Sequence, residues 1–295
     1  MKKYYSPLRY PGGKNKAFAL FRDIIAVNRL QGCVYVEPFA GGASVALGLL
    51  SEGDAERIVI NDADPSIYSF WHSCLNKTDE FCDLMRRTDI TIDVWEQQKA
   101  IYHELRICAL RGEQYDTTQL GFATFFLNRT NRSGILKGGI IGGHAQKGKF
   151  GIAARFNKQE LESRIRRVAE MSDRIELHYE DAKTFLESKI AEWPLNTLIY
   201  CDPPYVKKGR GLYMNYFKEK DHKELSETIL KIRDKNWVVT YDMDDLIAEL
   251  YHDYLKKKLT LSYSAAHNQG SSKSDEFVFF SSNLIIPDCR MLTDL

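Results

Sequence analysis

The sequence contains no apolar stretch approaching the eighteen or so residues that a membrane-spanning helix needs. Its first residues, MKKYYSPLRYPGGK, include two lysines but lack the apolar segment of a secretory signal peptide. Internal repeats and low-complexity tails are also missing. These absences predict a globular cytoplasmic protein rather than a secreted, membrane-anchored or repeat protein.

Paired cysteines are missing too. The six cysteines are scattered along the chain, and no two of them form a CxxC motif. This spacing favours reduced thiols over a disulfide framework or a zinc site, so we expect the protein to work without a metal.

The chain has 295 residues, of which 44% are hydrophobic and 27% charged, enough for one large α/β domain with an insert or for two modest domains. Its net charge of +1 conceals an asymmetry. Residues 121–167 contain ten Lys or Arg and only two Glu, which gives this stretch about +8 and the remainder about −7. A local basic face is what contact with phosphates requires, although a solvated surface without a partner remains the alternative.

Seven short apolar runs predict strands that alternate with helices. They lie at 34–38, 57–62, 174–181, 196–205, 237–242, 258–264 and 275–282. This alternation predicts a doubly wound α/β sheet. A polar loop instead of a helix separates the last two runs, which predicts a terminal hairpin and one antiparallel strand.

Residues 72–171 depart from this alternation of strands and helices. They contain helical patterns at 93–110, 120–127 and 158–171, a segment rich in Gly, Lys and Arg, and no convincing strand. We therefore predict an α/β domain made of residues 1–71 and 172–295, with residues 72–171 forming a helical insert.

The ends of the first two predicted strands indicate a nucleoside site. Gly41 and Gly42 follow the first strand and allow a tight turn close to a ligand, but the spacing is not that of the GxGxxG dinucleotide motif. Asp62, at the tip of the second strand, suits the two hydroxyls of a ribose, whereas Asp64 beside Pro65 fits a helix cap. A ribose site without a phosphate site favours S-adenosylmethionine over NAD.

The fourth predicted strand ends in Asp202-Pro203-Pro204-Tyr205. The prolines have no N–H, so the backbone here offers only acceptors, beside a carboxylate and an aromatic ring. An exocyclic amine on a flat nucleobase has the complementary shape: two donors and a ring. Direct transfer of a group to such an amine needs no covalent enzyme intermediate, so we expect Cys201 to be a buried residue and not a nucleophile.

The motifs SPLRYPGGK, VEPFAGGAS, NDADP and DPPY, in this order, resemble those of the Dam-like (D12 class) DNA adenine-N6 methyltransferases. The resemblance extends over nearly the whole chain. It implies a Rossmann-like S-adenosylmethionine-dependent methyltransferase fold, with a seven-stranded mixed sheet and a helical target-recognition insert. It also implies methyl transfer to N6 of a flipped-out adenine in a specific sequence of double-stranded DNA. A cognate restriction endonuclease, a bacterial, phage or mobile-element origin, and a monomer or weak dimer are compatible with it.

Residue roles follow from this resemblance by matching positions. The implied catalytic residues are Asp202, Pro203, Pro204 and Tyr205. The implied cofactor-binding residues are Tyr10, Lys14, Glu37, Pro38, Phe39, Gly41, Asp62, Asp181, Ala182 and Asp202. The implied DNA-binding residues are Arg9, Arg129, Asn131, Arg132, Ser133 and Lys137.

The chain departs from the family pattern at Arg132-Ser133-Gly134, where relatives that methylate GATC carry an aromatic residue, Asn and Gly. The target sequence is therefore open. Other amines are alternative substrates: cytosine N4, adenine in RNA, or a protein glutamine. Asp202 favours adenine, because cytosine-N4 enzymes usually have Ser at this position and glutamine methyltransferases Asn. A non-catalytic protein of the same fold is a further alternative. A nicotinamide oxidoreductase is less favoured, because this sequence does not contain the phosphate-binding glycine pattern of such enzymes.

Overall fold

The computed structural model describes residues 5–9, 17–206, 217–263 and 272–295. The helices in these ranges are α1 Ala17–Val27, α2 Ser44–Glu52, α3 Pro65–Asn76, α4 Thr78–Arg87, α5 Ile92–Leu110, α6 Thr117–Thr130, α7 Lys158–Ala169, α8 Ala182–Lys189, α9 Glu219–Leu230 and α10 Asp245–Leu250. The strands are β1 Cys33–Glu37, β2 Ala55–Asn61, β3 Ile175–His178, β4 Thr197–Cys201, β5 Asn236–Asp242, β6 Leu255–Tyr263, β7 Ser272–Phe280 and β8 Leu292–Thr293. Within the same ranges, every helix is too short or too polar to cross a membrane.

The strands form one mixed sheet in the order β3-β2-β1-β4-β5-β7-β6-β8. β1 pairs in parallel with β2 and β4, and β4 pairs in parallel with β5. β7 runs antiparallel to both β5 and β6, so the predicted terminal hairpin is confirmed. All seven predicted strands are found, within a few residues of their expected limits.

The prediction of seven strands was nevertheless wrong, because the described sheet has eight. β8 pairs antiparallel with β6 through Lys258↔Thr293 and Leu259↔Leu292, which adds a second antiparallel strand. A two-residue strand is too short to show the alternation of apolar and polar residues by which strands are recognised in a sequence.

The chain divides into two compact units. The first comprises Met1–Gly13 and Ala63–Tyr179, and the second comprises Lys14–Asp62 and Glu180–Leu295. These units are defined by contacts within the chain and not by DNA binding. The DNA-recognition insert at 72–171 therefore stays a prediction.

The second unit buries its central strands on both faces, as parallel strands covered by helices do. All five residues of β1 and all five of β4 are buried. One face packs into an aromatic cluster around Trp237, Tyr241 and Tyr251, where the Tyr251 and Phe279 rings stack with centroids 4.8 Å apart. This packing fixes the strand ends at which ligands bind in such sheets.

The first unit is built around α6, which is buried on all sides over Leu120–Thr130. Its phenylalanines pack against those of the neighbouring helices; the Phe125 ring stacks on Phe70, with centroids 5.8 Å apart, and meets Phe81 edge-on. A helix that is buried around its whole circumference lies at the centre of a bundle. The predicted helices of this region are confirmed as α5, α6 and α7.

Candidate active site and nucleic-acid surface

The candidate active site lies at the carboxyl ends of adjacent strands. β1 lies between β2 and β4, so the chain leaves β1 towards one side of the sheet and returns on its other side at β4. Such a reversal of strand order is where open α/β sheets bind ligands. The loops that follow β1 and β4 carry Pro38–Gly41 and Asp202–Tyr205, so the two most specific motifs of the sequence are neighbours here.

The turn after β1 is attached to the end of β2. Gly41 has a φ of 45°, in the left-handed region that glycine adopts without strain. Its N–H donates to Oδ2 of Asp62 at 2.9 Å, and the Ala40 N–H donates to the Asn61 carbonyl at 2.9 Å. The half-buried carboxylate of Asp62 therefore shapes the glycine turn as well as being the candidate ribose acceptor.

Asn61 joins the ends of β1 and β2 to the segment that follows β3, and no motif of the sequence marks it as functional. This buried side chain donates from Nδ2 to the carbonyls of Pro38 and Glu180, both at 3.0 Å. Its Oδ1 accepts from the Glu180 N–H, also at 3.0 Å. The ends of β1 and β2 and the segment after β3 are thus held together by one amide. An Asn directly after an apolar strand run was the only signal in the sequence.

Glu37, the last residue of β1, is 4% exposed, and its Oε1 accepts from the Ala46 N–H in the first turn of α2 at 3.1 Å. Burial raises the pKa of this carboxyl to about 8, and the charge of Asp202 contributes to the shift. Glu37 is therefore mainly protonated at neutral pH. A neutral Glu37 does not compete with Asp202 as an anion at the same edge of the sheet.

The remaining cofactor candidates differ in their surroundings. Asp181 is exposed and caps α8, since its Oδ1 accepts from the N–H of Lys183 at 3.0 Å and of Thr184 at 3.3 Å. Ala182 is buried at the start of that helix. Phe39 is half-buried and packs edge-on against Phe217, with ring centroids 5.9 Å apart. Tyr10 and Lys14 lie outside the described residues.

Asp202 is fixed by side chains on both sides. Thr240 on β5 donates its hydroxyl proton to Oδ1 of Asp202 at 2.7 Å, and the Tyr205 hydroxyl donates to the same oxygen at 3.4 Å. Pro203 and Pro204 are buried, and Tyr205 is only 6% exposed, with its ring among the core residues. Of the four residues Asp202–Tyr205, only Asp202 is more than marginally accessible.

The residue after the tetrapeptide is anchored to the same strand as its first residue. The Val206 N–H donates to Oδ1 of Asp242 at 3.0 Å, and Asp242 is buried at the end of β5. Thr240 and Asp242 are two residues apart and so lie on one face of β5. The two side chains hold both ends of the Asp202–Val206 segment.

Cys201 is fully buried at the end of β4. Burial raises the pKa of its thiol above the usual range, and the nearby charge of Asp202 raises it further. A protonated, inaccessible thiol is a poor nucleophile, which agrees with the expectation from the sequence.

In the first unit, the candidate DNA-binding residues fall into two groups, accessible and enclosed. Arg132, Ser133 and Lys137 are exposed, and Ser133 has a φ of 57°. Asn131 is fully buried: its Oδ1 accepts from Nε1 of Trp95 at 2.7 Å, and its Nδ2 donates to two nearby carbonyls at 3.0 Å. The hydrogen bonds of Asn131 thus stabilise the conformation of the segment that carries the exposed residues.

Arg129 is also enclosed, being 8% exposed. Its Nε donates to the Arg155 carbonyl at 2.7 Å and its Nη1 to the Pro7 carbonyl at 3.3 Å. Burial and the neighbouring charges of Arg9, Arg164 and Arg155 lower the pKa of Arg129 to about 9. Burial and Arg155 lower that of Arg9 as well. Positive charge is therefore concentrated here beyond what acidic neighbours neutralise.

The position of half-buried Arg9 depends on Asn128, which no sequence pattern singles out, unlike the adjacent Arg129. The Arg9 N–H donates to Oδ1 of Asn128, and Nδ2 of Asn128 donates to the Arg9 carbonyl, both at 2.7 Å. The same Nδ2 donates to the Gly134 carbonyl at 3.0 Å. Asn128 thereby joins Arg9 to the turn that follows Arg132.

The strand order, the glycine turn beyond β1 and the Asp-Pro-Pro-Tyr loop beyond β4 are together those expected of an α/β methyltransferase. Comparison with known families identifies the particular methyltransferase family. The model for the D12 class N6 adenine-specific DNA methyltransferases matches residues 10–264, and the chain belongs to this family. The protein is an adenine-specific DNA methyltransferase, of an enzyme class that generally takes its methyl group from S-adenosylmethionine.

Individual relatives are distant but extend over most of the chain. The retron Ec67 DNA adenine methylase of Escherichia coli is 24% identical over 256 residues, covering 81% of this chain and 80% of that protein. The type II methyltransferase M.MjaIII of Methanocaldococcus jannaschii is 22% identical, covering 67% and 68%. A DNA adenine methylase of Vibrio cholerae is 26% identical, covering 70% and 67%.

Proposed function

We propose that this enzyme binds S-adenosylmethionine at the ends of β1 and β2 and at the start of α8, and that Asp202–Tyr205 present the N6 amine of a flipped-out adenine to it. The observation that carries the proposal is the pair of adjacent loops after β1 and β4. One is a glycine turn held by Asp62, and the other is a fixed carboxylate followed by two buried prolines.

The residues at the strand ends fit the cofactor. Gly41 has no Cβ and adopts a left-handed backbone, so no side chain blocks the approach of a ligand to the main chain of this turn. Asp62 is half-buried and has the acceptor chemistry that ribose hydroxyls need. Glu37, Pro38, Phe39, Asp181 and Ala182, with Tyr10 and Lys14, complete the proposed set. When bound, S-adenosylmethionine supplies an electrophilic methyl group.

The chain's own part in the reaction is to orient the amine. Asp202 and the Pro203 carbonyl accept hydrogen bonds from the two N–H groups, which directs the nitrogen lone pair out of the ring plane. Orientation and fixed electrostatics of this kind supply most of the acceleration in such a transfer. Tyr205 is the proposed stacking partner of the base, and because it is nearly buried, stacking there requires its ring to move when the base enters.

The proposed DNA surface is the basic segment 132–156. Its exposed cations are Arg132, Lys137, Lys147, Lys149 and Arg155. Phe150 is 48% exposed, with the charges of Lys149 and Arg155 each 5.8 Å from its ring centroid. Cations beside an exposed aromatic ring suit phosphates and unstacked bases. In this proposal Arg9, Arg132, Ser133 and Lys137 contact double-stranded DNA, while Arg129 and Asn131 hold the segment in place. Extruding the adenine costs a few kcal/mol, which these contacts offset.

A role in restriction–modification is supported by the name of the M. jannaschii relative, a type II methyltransferase. We propose that the enzyme acts in the cytoplasm of a bacterium, where a phage or mobile element can also encode it, and that a cognate endonuclease accompanies it. We further propose that it is a monomer or weak dimer.

The test is methyl transfer from labelled S-adenosylmethionine to unmethylated genomic DNA, followed by digestion to nucleosides. We expect N6-methyladenine as the product, with duplex RNA of similar length remaining unlabelled. Asp202→Ala should abolish transfer, while S-adenosylmethionine should still bind through the other implied cofactor contacts, of which Asp202 is only one. As the matched control, Asp23→Ala removes an exposed aspartate of α1 outside the proposed site and should leave the rate unchanged. Near-native turnover in Asp202→Ala, or label in cytosine, would contradict the proposal.

A further inference from the structure

Two side-chain hydroxyl groups form a hydrogen-bonded line that ends on the carboxylate of Asp202. The Tyr200 hydroxyl lies 3.0 Å from Oγ1 of Thr240, and that oxygen lies 2.7 Å from Oδ1 of Asp202. Tyr200 is buried in β4, and Thr240 is 1% exposed in β5. Neither residue is among those that the sequence motifs pick out.

The chemistry of the three groups gives the line a direction. A carboxylate only accepts hydrogen bonds, so the single proton of the Thr240 hydroxyl points to Asp202. Thr240 can then only accept from Tyr200, whose phenol must be the donor. Burial and the charge of Asp202 raise the pKa of Tyr200 well above its usual range, so the phenol keeps its proton.

From this geometry we propose that Thr240 is a positioning residue, which orients the Asp202 carboxylate for the adenine amine, and that Tyr200 acts through Thr240 by fixing its hydroxyl as a donor. The inference rests on the proposed role of Asp202. Asp202 is only half-buried and follows the last residue of its strand, so it needs lateral support to keep one orientation. The Tyr205 contact of 3.4 Å is longer than a good O–H···O bond, so Thr240 makes the stronger of the two hydroxyl contacts to Asp202.

The first test compares Thr240→Val with Thr240→Ser in methyl transfer to unmethylated genomic DNA. Val has nearly the shape of Thr but no hydroxyl, and Ser keeps the hydroxyl. We expect Thr240→Val to lower kcat by up to about 100-fold, the usual cost of a misplaced reacting group, with little change in KM for S-adenosylmethionine. Thr240→Ser should restore most of the rate.

Thr197→Val is the matched control for loss of a buried threonine hydroxyl. Thr197 is fully buried at the start of β4, and its Oγ1 donates to the Pro194 carbonyl at 2.7 Å. We expect similar losses of thermal stability in Thr197→Val and Thr240→Val, but a loss of kcat in the second only. Equal kcat values in these two variants would overturn the inference.

The order of the line is tested by Tyr200→Phe and by the double variant with Thr240→Val. If Tyr200 acts through Thr240, Tyr200→Phe lowers kcat by less than Thr240→Val does, and the double variant is no slower than Thr240→Val alone. A multiplicative loss in the double variant would overturn the assigned order.

The Asp202→Ala variant separates this inference from the proposed function. An inactive Asp202→Ala beside a fully active Thr240→Val leaves the proposed function standing and refutes the positioning role. An active Asp202→Ala refutes both, because Thr240 is proposed to act only through that carboxylate.

Discussion

At the scale of single residues, the site combines two acids with different environments. Glu37 is enclosed at the end of β1, whereas Asp202 is half-buried and accepts hydrogen bonds from two hydroxyls. Burial is the main reason why the pKa of Glu37 is raised, and the charge of Asp202 adds to it. Glu37 thus contributes shape and one hydrogen bond to α2.

The pKa of Glu37 predicts how stability depends on pH. Because the folded protein holds this proton up to about pH 8, and the unfolded chain releases it near its ordinary value of 4.5, the free energy of unfolding should fall as pH rises between these values. Glu37→Gln should flatten that fall and become increasingly stabilised relative to wild type towards pH 8, by an amount on the order of a few kcal/mol. Denaturant unfolding from pH 5 to 9 measures it.

The control is Glu56→Gln, which removes an exposed acid from the neighbouring strand β2. Its profile should run parallel to that of the wild type. Parallel profiles for Glu37→Gln and wild type would show that Glu37 ionises normally in the folded protein.

Much of the site could be predicted at the level of residue type, and little at the level of contacts. Asp62 and Asp202 stand out because a polar residue directly follows a buried strand. Asn61 and Thr240 do not, since their partners Glu180 and Asp202 lie 119 and 38 residues away. Which strands become neighbours decides these contacts, and strand order is not encoded in any local pattern.

At the scale of elements, the turn after α6 depends on one glycine. Gly134 has a φ of 77°, and a Cβ placed on it would lie 2.3 Å from the Arg9 carbonyl oxygen. Gly134→Ala should therefore destabilise the protein by about 1–3 kcal/mol through the backbone conformation alone. The contact should add to this loss and displace Arg9. Denaturant unfolding and a DNA-binding titration measure the two effects.

Gly112→Ala is the matched control for this substitution. Gly112 has a φ of 70°, and a Cβ on it would meet no described atom within 4 Å. It should show the backbone cost without weakened DNA binding. The same loss of affinity in both variants would mean that the Arg9 contact does not matter for DNA.

The elements themselves were largely predictable, because strands such as β1 and β4 are continuous apolar runs and α5–α7 are long and periodic. α3 and α4 were not assigned in advance. Their border at Lys77 and Thr78 has no Gly or Pro, and the side chains that determine it are buried against α6 and α7. β8 has only two residues and is held by its register with β6. Tertiary contacts thus determined what local pattern could not.

At the scale of the whole molecule, charge is distributed so that an almost neutral protein can bind a polyanion. Residues 132–156 contain five basic and no acidic side chains. Because the whole chain carries +1 and this segment +5, the rest carries −4. Among the ion pairs in the described ranges, none involves the five cations of this segment. They are accordingly available for phosphates.

This distribution predicts the salt dependence of DNA binding. Each cation that contacts a phosphate releases counterions and contributes about 0.9 to the slope of log affinity against log salt. Removing two of them with Lys147→Gln and Lys149→Gln should make the slope shallower by roughly 1.8 and weaken binding at low salt. Lys77→Gln with Lys231→Gln removes two exposed lysines from outside the segment and should leave the slope as it is. If both pairs changed the slope equally, the attraction would come from net charge and not from this surface.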